Sequence, residues 1–237
     1  PLYRGFGAGS GAGLGEGTTS VKENGMEAFL FDMDGVIVDT QQYHSLALQR
    51  VFAEIGIGVS IAELSQYAGT KRGATIRGIA AKRGLQLPVE ELNDRKDAVF
   101  SDLIAHTQLR PIDGIPELLQ SLRAARVRTA IASSSSEAFI AYVVDQLGIR
   151  EAFDALLSGQ ELPASKPDPA IYLLAARTLQ AAPAHCVVLE DAALGVQAAK
   201  AAGMYCIGYR NPHSGQQDLS RADAVVDRIR DIDISCL

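Results

Sequence analysis

The chain has 237 residues, of which 47% are hydrophobic and 21% charged, and it carries a formal net charge of −6. With a pI near 5.2 and a mean hydropathy of +0.07, it has the balance of a globular protein. It lacks the basic excess usual in proteins that bind nucleic acid or anionic membranes. No apolar stretch approaches the roughly 18 to 20 residues of a membrane-spanning helix.

The first segment is not built to fold. Every second residue from Gly5 to Gly17 is glycine, which cannot pack a core and behaves as flexible linker. The strict alternation never satisfies G-x-G-x-x-G, and no lysine is placed for a phosphate loop. Residues 1–25 therefore read as a linker or a cloning scar, with the native start expected at Met26. Next, Glu27 to Phe31 predicts a buried strand that delivers Asp32 and Asp34 into a turn at Gly35. Side chains two apart on an extended chain point the same way. Two carboxylates held close repel each other unless a metal or a shared proton relieves them.

After Thr40 the period turns helical. Leu48, Val51, Phe52 and Ile55 form a stripe closed by Gly56. Helical text continues to about His106, broken at Tyr67 to Gly73 and at Gly84 to Pro88, with no strand in the interval. From Arg110 onward, helices and strands alternate. Ile115, Leu118, Leu119 and Leu122 mark a helix, and Arg128 to Ala132 a strand. Phe139, Tyr142, Val143 and Leu147 mark a helix ended by Gly148, and Ala155 to Ser158 is a short strand. Asp168-Pro169 supplies an N-cap and first turn for a helix through Ile171, Leu174, Ala175 and Thr178. Cys186 to Leu189, Ala192 to Ala202 and Tyr205 to Gly208 predict strand, helix and strand.

Such alternation implies an α/β fold, a Rossmann-like doubly wound parallel sheet with helices on both faces. The all-helical interval follows the first strand and is therefore an insertion, a helical-bundle cap over the sheet's carboxyl edge. The expected division is a core of residues 26–40 and 109–237 and a cap of residues 41–108. Cys186 and Cys206 fall in strand-like runs and read as core packing, whereas Cys236 reads as an incidental terminal thiol. The three lack metal-ligand spacing and suit a reducing cytosol, so a cytoplasmic protein is expected.

Polar groups gather where the predicted strands end. The run Ser133 to Ser136 offers hydroxyls and backbone N–H groups that can cradle an anion, although one serine would suffice to cap the following helix. Lys166 precedes the rigid Pro167-Asp168-Pro169 turn, and its charge has a task only if a phosphate or carboxylates lie nearby. Glu190-Asp191 closes another strand. Alone it would suit a helix N-terminus; with Asp32 and the Asp34 region it supplies the hard oxygen ligands that Mg²⁺ prefers.

Together, Asp32-Met-Asp34-Gly35-Val36, Ala132-Ser133-Ser134, Lys166-Pro167-Asp168-Pro169 and Glu190-Asp191 with Gly195 resemble the haloacid dehalogenase-like superfamily. The likeness runs from Met26 to about Asp223 and is strongest to the β-phosphoglucomutase-like branch. The resemblance implies that Asp32 is a nucleophile forming an aspartyl-phosphate, and that Asp34 is general acid to the leaving group and then base toward water. It implies Mg²⁺ held by Asp32, the backbone carbonyl of Asp34, Glu190 and Asp191, with Ser133 and Lys166 holding the transferring phosphoryl group. The superfamily's true dehalogenases need no metal and lack the second aspartate, which argues against dehalogenation.

The branch contains hydrolases and a mutase that moves phosphate between C1 and C6 of glucose. Thr40 and His44 match the mutase's hinge threonine and the histidine that orients the general acid. Gly69-Thr-Lys71-Arg72 resembles its cap loop, whose arginine grips a distal phosphate, and Arg95-Lys96 a basic pair at the cap's rim. Gly35, Thr40, His44, Arg72, Lys96 and Ser134 are thus expected around the substrate. Ser136-Glu137 replaces the mutase's lysine-asparagine pair, and the stretch Tyr209 to Leu219 also differs. The resemblance therefore favours a Mg²⁺-dependent phosphatase of a small phosphorylated metabolite, a sugar phosphate foremost. A β-phosphoglucomutase is the alternative, and a catalytically silent binding protein the third. A monomer or weak dimer is expected, with no nucleic-acid or membrane partner.

Overall fold

The computed structural model describes residues 25–65, 67 and 72–237. The glycine-rich stretch and residues 69–71 of the expected cap loop lie outside the described residues. Six strands, β1 (Ala28–Phe31), β2 (Arg128–Ser133), β3 (Ala155–Ser158), β4 (Cys186–Glu190), β5 (Tyr205–Tyr209) and β6 (Ala224–Val226), form one sheet in the order β3-β2-β1-β4-β5-β6. Every pairing is parallel. The chain winds outward in one direction from β1 through β2 to β3, and in the other from β4 to β6. The carboxyl ends of β1 and β4 therefore flank the crevice where open α/β sheets bind ligands.

Alternation along β1 divides the core. Phe29 and Phe31 face one layer with Ile131, Val187 and Leu189, under α5 (Ile115–Ala124) and α6 (Glu137–Leu147). Ala28 and Leu30 face the other with Ala130, Ala132, Cys186 and Val188, under α7 (Ala170–Thr178) and α8 (Ala193–Ala201). With both faces covered, the central strands are apolar throughout, as a parallel sheet requires. Cys186 and Cys206 are buried there and Cys236 is exposed, as their sequence contexts suggest.

Between β1 and α5 come α1 (Gln41–Glu54), α2 (Ile61–Ser65), α3 (Ala74–Arg83) and α4 (Val89–Ala105). They bury a cluster of their own around Val51, Phe52, Leu64, Ile76, Ile79 and Leu92. Phe100 and Ile104 of α4 instead join the sheet's core, so the helical layer is seated on the strands. Among the described residues, no helix is long and apolar enough to cross a membrane.

Several local expectations are corrected. Ile55 is 42% exposed because it lies one residue past the end of α1. On α7 the buried face holds Ile171, Tyr172, Ala175 and Ala176, leaving Thr178 exposed. Pro169 takes the N-cap position of α7, while the Asp168 carboxylate accepts from the Ala170 N–H at 2.9 Å. Strands β2 and β4 each run one residue further, to Ser133 and Glu190. The helix-strand alternation also stops early: no helix lies between β5 and β6, and β6 has only three residues, too few for a periodic signal.

Candidate active site

The register of the sheet assembles the site. Phe31 pairs with Ile131 on one side and Leu189 on the other, so the next residue, Asp32, comes level with Ala132 and Glu190. The Asp32 N–H donates to the Leu189 carbonyl at 3.0 Å, continuing the ladder. The chain then turns at Gly35 with φ +97°, and a Cβ there would lie 2.0 Å from Asp191 Oδ2. Glycine is required at this position both by the backbone and by the carboxylate pressed against it.

Asp32, Glu190 and Asp191 each place a carboxylate oxygen within 4.8 Å of the others, and all three are buried. Lys166 enters this group with all three ammonium donors engaged. It donates to Asp32 Oδ1 and Glu190 Oε1, each at 2.6 Å, and to the Ala132 carbonyl at 3.3 Å. Tyr172 donates to the same Glu190 oxygen at 2.7 Å, and its ring lies 4.9 Å from the Lys166 nitrogen. The other Glu190 oxygen accepts from the N–H groups of Asp191 and Ala192, at 3.0 and 3.1 Å. Ser214 Oγ donates to Asp191 Oδ2.

One cation among three buried carboxylates leaves an excess of negative charge. Burial, assisted by Glu190 and Asp34 and opposed by Lys166, pushes the Asp32 carboxyl up to about 7. Burial together with Glu190 and Asp32 raises Asp191 well above the usual carboxylate range. Burial alone would depress Lys166, but Asp32 and Glu190 outweigh it and hold the ammonium charged. A buried oxygen-only cluster with unbalanced negative charge has the chemistry of a Mg²⁺ site, and the residues present fit that ion.

Asp34 is held apart from this group. Its Oδ1 accepts from Thr40 Oγ1, and its Oδ2 from Ser135 Oγ at 2.7 Å and Ser133 Oγ at 3.4 Å. His44 Nε2 stands 3.8 Å from Oδ1. Burial would raise the Asp34 carboxyl, but His44, Thr40 and Ser135 together bring it below its ordinary value. The His44 ring stacks on Phe100 at 4.0 Å between centroids, and Lys96 lies 5.1 Å from the Phe100 ring centre. Burial first, and the Lys96 charge second, lower the His44 pKa.

The structure thus brings Asp32, Lys166, Glu190 and Asp191 into one cluster, and Asp34, Thr40, Ser133 and His44 into a second beside it. Lys96 faces the second cluster from α4. Arg72 is not drawn in: it pairs with Asp97 and, at 2.6 Å, with Asp94. Arg95 is tied to Glu54 by two hydrogen bonds of 2.9 Å, so the Arg95-Lys96 pair does not act as a unit. Ser134 is exposed. Ser136 caps α6, accepting from the Phe139 N–H at 3.3 Å.

Four contributors escape sequence reasoning: Ser135, Tyr172, Asn211 and Ser214. Asn211 Nδ2 donates to the Gly35 carbonyl at 2.9 Å. In a run of four serines nothing marks the third as the partner of Asp34, and Tyr172 sits beside, not on, the stripe used to find α7.

A family model described as haloacid dehalogenase-like hydrolase matches residues 26–203. The chain belongs to the haloacid dehalogenase-like hydrolases. Within that family it is 34% identical over 221 residues to β-phosphoglucomutase of Bacillus subtilis, covering 90% of this chain and 94% of that one. It is 31% identical over 182 residues to fructose-1-phosphate phosphatase YqaB of Escherichia coli, covering 76% and 95%. Among solved structures, β-phosphoglucomutase of Clostridium difficile superposes with a TM-score of 0.76 at 27% identity, over 89% of this chain and 94% of that chain. CbbY of Rhodobacter sphaeroides in complex with xylulose-(1,5)bisphosphate superposes with a TM-score of 0.73 at 28% identity, over 87% and 96%. The chain is thus a member of a family of phosphatases and phosphomutases, with the α/β core and helical insertion of its β-phosphoglucomutase-like relatives.

The packing behind Glu190 gives a first prediction. A Cβ on Gly195 would fall 1.7 Å from Glu190 Oε1, so Gly195→Ala must displace that side chain from Lys166 and Tyr172. Overpacking of this kind costs about 1–3 kcal/mol. Urea unfolding should show that loss, and an unchanged midpoint would mean that Glu190 has room to move.

Proposed function

We propose that this hydrolase removes phosphate from a small phosphorylated metabolite, a sugar phosphate foremost, through an aspartyl-phosphate on Asp32. The observation that carries the reading is the buried Asp32–Lys166–Glu190–Asp191 cluster with a second aspartate, Asp34, held separately by its own partners. Residues 41–108 would act as a cap on a core of residues 26–40 and 109–237.

Asp32, Glu190, Asp191 and the Asp34 carbonyl would hold Mg²⁺, which when bound offsets negative charge on the phosphate and carboxylates. Asp32 attacks phosphorus as the bond to the leaving oxygen breaks, and Asp34 gives that oxygen its proton. A water then attacks the acyl phosphate, its proton passes to Asp34, and Asp32 is restored as a carboxylate with release of inorganic phosphate. Lys166 and Ser133 bear on the phosphoryl oxygens, and stabilising their charge carries most of the catalysis in such a transfer. In the geometry described, Thr40, Ser135 and His44 favour the ionised form of Asp34, which suits removal of a proton from water. Donation to the leaving group requires Asp34 to exchange these partners for the substrate. Gly35 and Ser134 would border the phosphate, while Thr40, His44, Lys96 and Arg72 would face the remainder of the substrate, Arg72 after exchanging Asp94 and Asp97 for it. The enzyme would work as a cytoplasmic monomer or weak dimer.

A second reading, transfer between two hydroxyls of one sugar, has the Bacillus subtilis relative and the Lys96–Phe100–His44 stack in its favour. Ser136, spent on capping α6, is an argument for hydrolysis. Phosphate release should be measured with Mg²⁺ across a panel of hexose and pentose phosphates, alongside β-glucose 1-phosphate with a trace of glucose 1,6-bisphosphate. Free phosphate from a few sugar phosphates is the expected result. Glucose 6-phosphate with little free phosphate would establish the mutase, and no turnover of any substrate would leave a binding protein.

A further inference from the structure

The loop after β5 reaches back to the site in two places. Ser214 Oγ donates to Asp191 Oδ2, and Asn211 Nδ2 donates to the Gly35 carbonyl at 2.9 Å. Both side chains are buried, Ser214 at 1% and Asn211 at 6% exposure. Their two targets touch each other, because Asp191 Oδ2 is the atom pressed against Gly35. The loop therefore grips both sides of one contact, that between the Asp32–Asp34 turn and the end of β4.

The grip is braced from within. The Ser214 N–H donates to the Asn211 carbonyl at 3.2 Å, and Asn211 Oδ1 accepts from the His213 N–H at 2.8 Å. Gln217 ties the loop to α8: its Oε1 accepts from the Ala193 N–H at 3.0 Å, and its Nε2 donates to the Ser214 carbonyl at 2.9 Å. Beside the loop lies a cavity of about 350 Å³ that Asp191 itself helps to line. The Ser214 hydroxyl holds the Asp191 carboxylate against Gly35, on the side of the cluster next to this cavity.

We propose that Ser214 and Asn211 are positioning residues for the divalent cation, fixing the Asp191 carboxylate and the Gly35 turn so that the ligands on β1 and β4 stay in register. The inference rests on the Mg²⁺ reading given above. Hydrogen-bond partners of metal ligands typically change affinity 10- to 100-fold when removed. Ser214→Ala should therefore weaken Mg²⁺ binding about tenfold, with kcat at saturating Mg²⁺ within about threefold of wild type. Asn211→Ala should act in the same direction. Because both serve one contact, the double variant should lose less than the product of the two single effects. Gln216→Ala, in the same loop but exposed, should bind Mg²⁺ as the wild type does.

The test is calorimetric titration of the full-length, metal-free protein with Mg²⁺, with Mg²⁺-dependent melting as a second readout. A role confined to folding would lower the metal-free melting temperature and leave the dissociation constant untouched. Weakened binding by Ser214→Ala and Asn211→Ala, with Gln216→Ala unchanged, supports the proposal. Wild-type affinity in the two loop variants overturns it, and Asn211→Ala decides alone if Ser214→Ala does not fold. If the wild-type protein itself gives neither heat nor a melting shift, the Mg²⁺ reading fails and the inference fails with it.

Discussion

Asp32→Asn is expected to abolish turnover, with a loss of roughly 10⁴-fold or more, as removal of a covalent nucleophile generally produces. The amide has the shape of the carboxylate but no anionic oxygen to attack phosphorus. The fold should not suffer. Burial, with Glu190 and Asp34 adding to it, pushes the Asp32 carboxyl up to about 7, so a neutral side chain avoids the cost of a buried charge and relieves repulsion from those two carboxylates. The metal-free variant should melt no lower than the wild type by calorimetry, while phosphate release with Mg²⁺ falls to background. Activity within 100-fold of wild type would remove Asp32 from the nucleophile's role.

Lys166→Met is the second large effect, and here stability and activity should fall together. The lysine meets Asp32 and Glu190 at 2.6 Å, and methionine fills a similar volume without charge. Removing one partner of a buried ion pair typically costs about 3–5 kcal/mol, because the remaining charge is left uncompensated. In urea unfolding with EDTA, the variant should lose stability of that order. Added Mg²⁺ should return part of it by supplying positive charge to the same carboxylates. Turnover at saturating Mg²⁺ should drop about 10²- to 10³-fold, the usual effect of deleting one electrostatic contact to a transition state. Equal stability of variant and wild type in EDTA would show that the three carboxylates are relieved by something other than Lys166.

What could be read from the chain divides along physical lines. Strands β1 to β5 announce themselves because a parallel sheet covered on both faces demands continuous apolar runs, and Ala155–Ser158 appears where the residue pattern places it. Asp32, Glu190 and Asp191 are legible because each sits at the end of such a run, and strand ends in a parallel sheet converge; Lys166, in the loop between β3 and α7, is legible from the Pro167-Asp168-Pro169 turn that follows it. Asp34 was expected to share that cluster, on the rule that side chains two apart point alike. It lies instead against Thr40 and Ser135, because the chain has left the strand before Asp34 and the alternation no longer holds. Asn211 and Ser214 were out of reach because a fourteen-residue connection between β5 and β6 has no periodicity, and which of its polar atoms turn inward is a tertiary matter. Arg72, in the turn before α3, and Lys96, on α4, fall in stretches rich in charge, where pattern alone does not separate a residue paired with Asp94 from one facing His44.

The distances along the chain between these partners carry a consequence for how the protein is made. Lys166 follows Asp32 by 134 positions, and Asn211 follows Gly35 by 176. On the ribosome Asp32 therefore emerges long before the lysine that balances it, and longer still before the loop that holds its turn. Contacts of such wide separation form late, since the chain must first be brought together across the intervening loops. A nascent chain halted before β4 would carry Asp32 and Lys166 without Glu190, Asp191 or the loop that holds Asn211 and Ser214. The carboxylate cluster can therefore close only once β4 has been made, and its closure in a pulse of synthesis would report the pairing of β1 with β4.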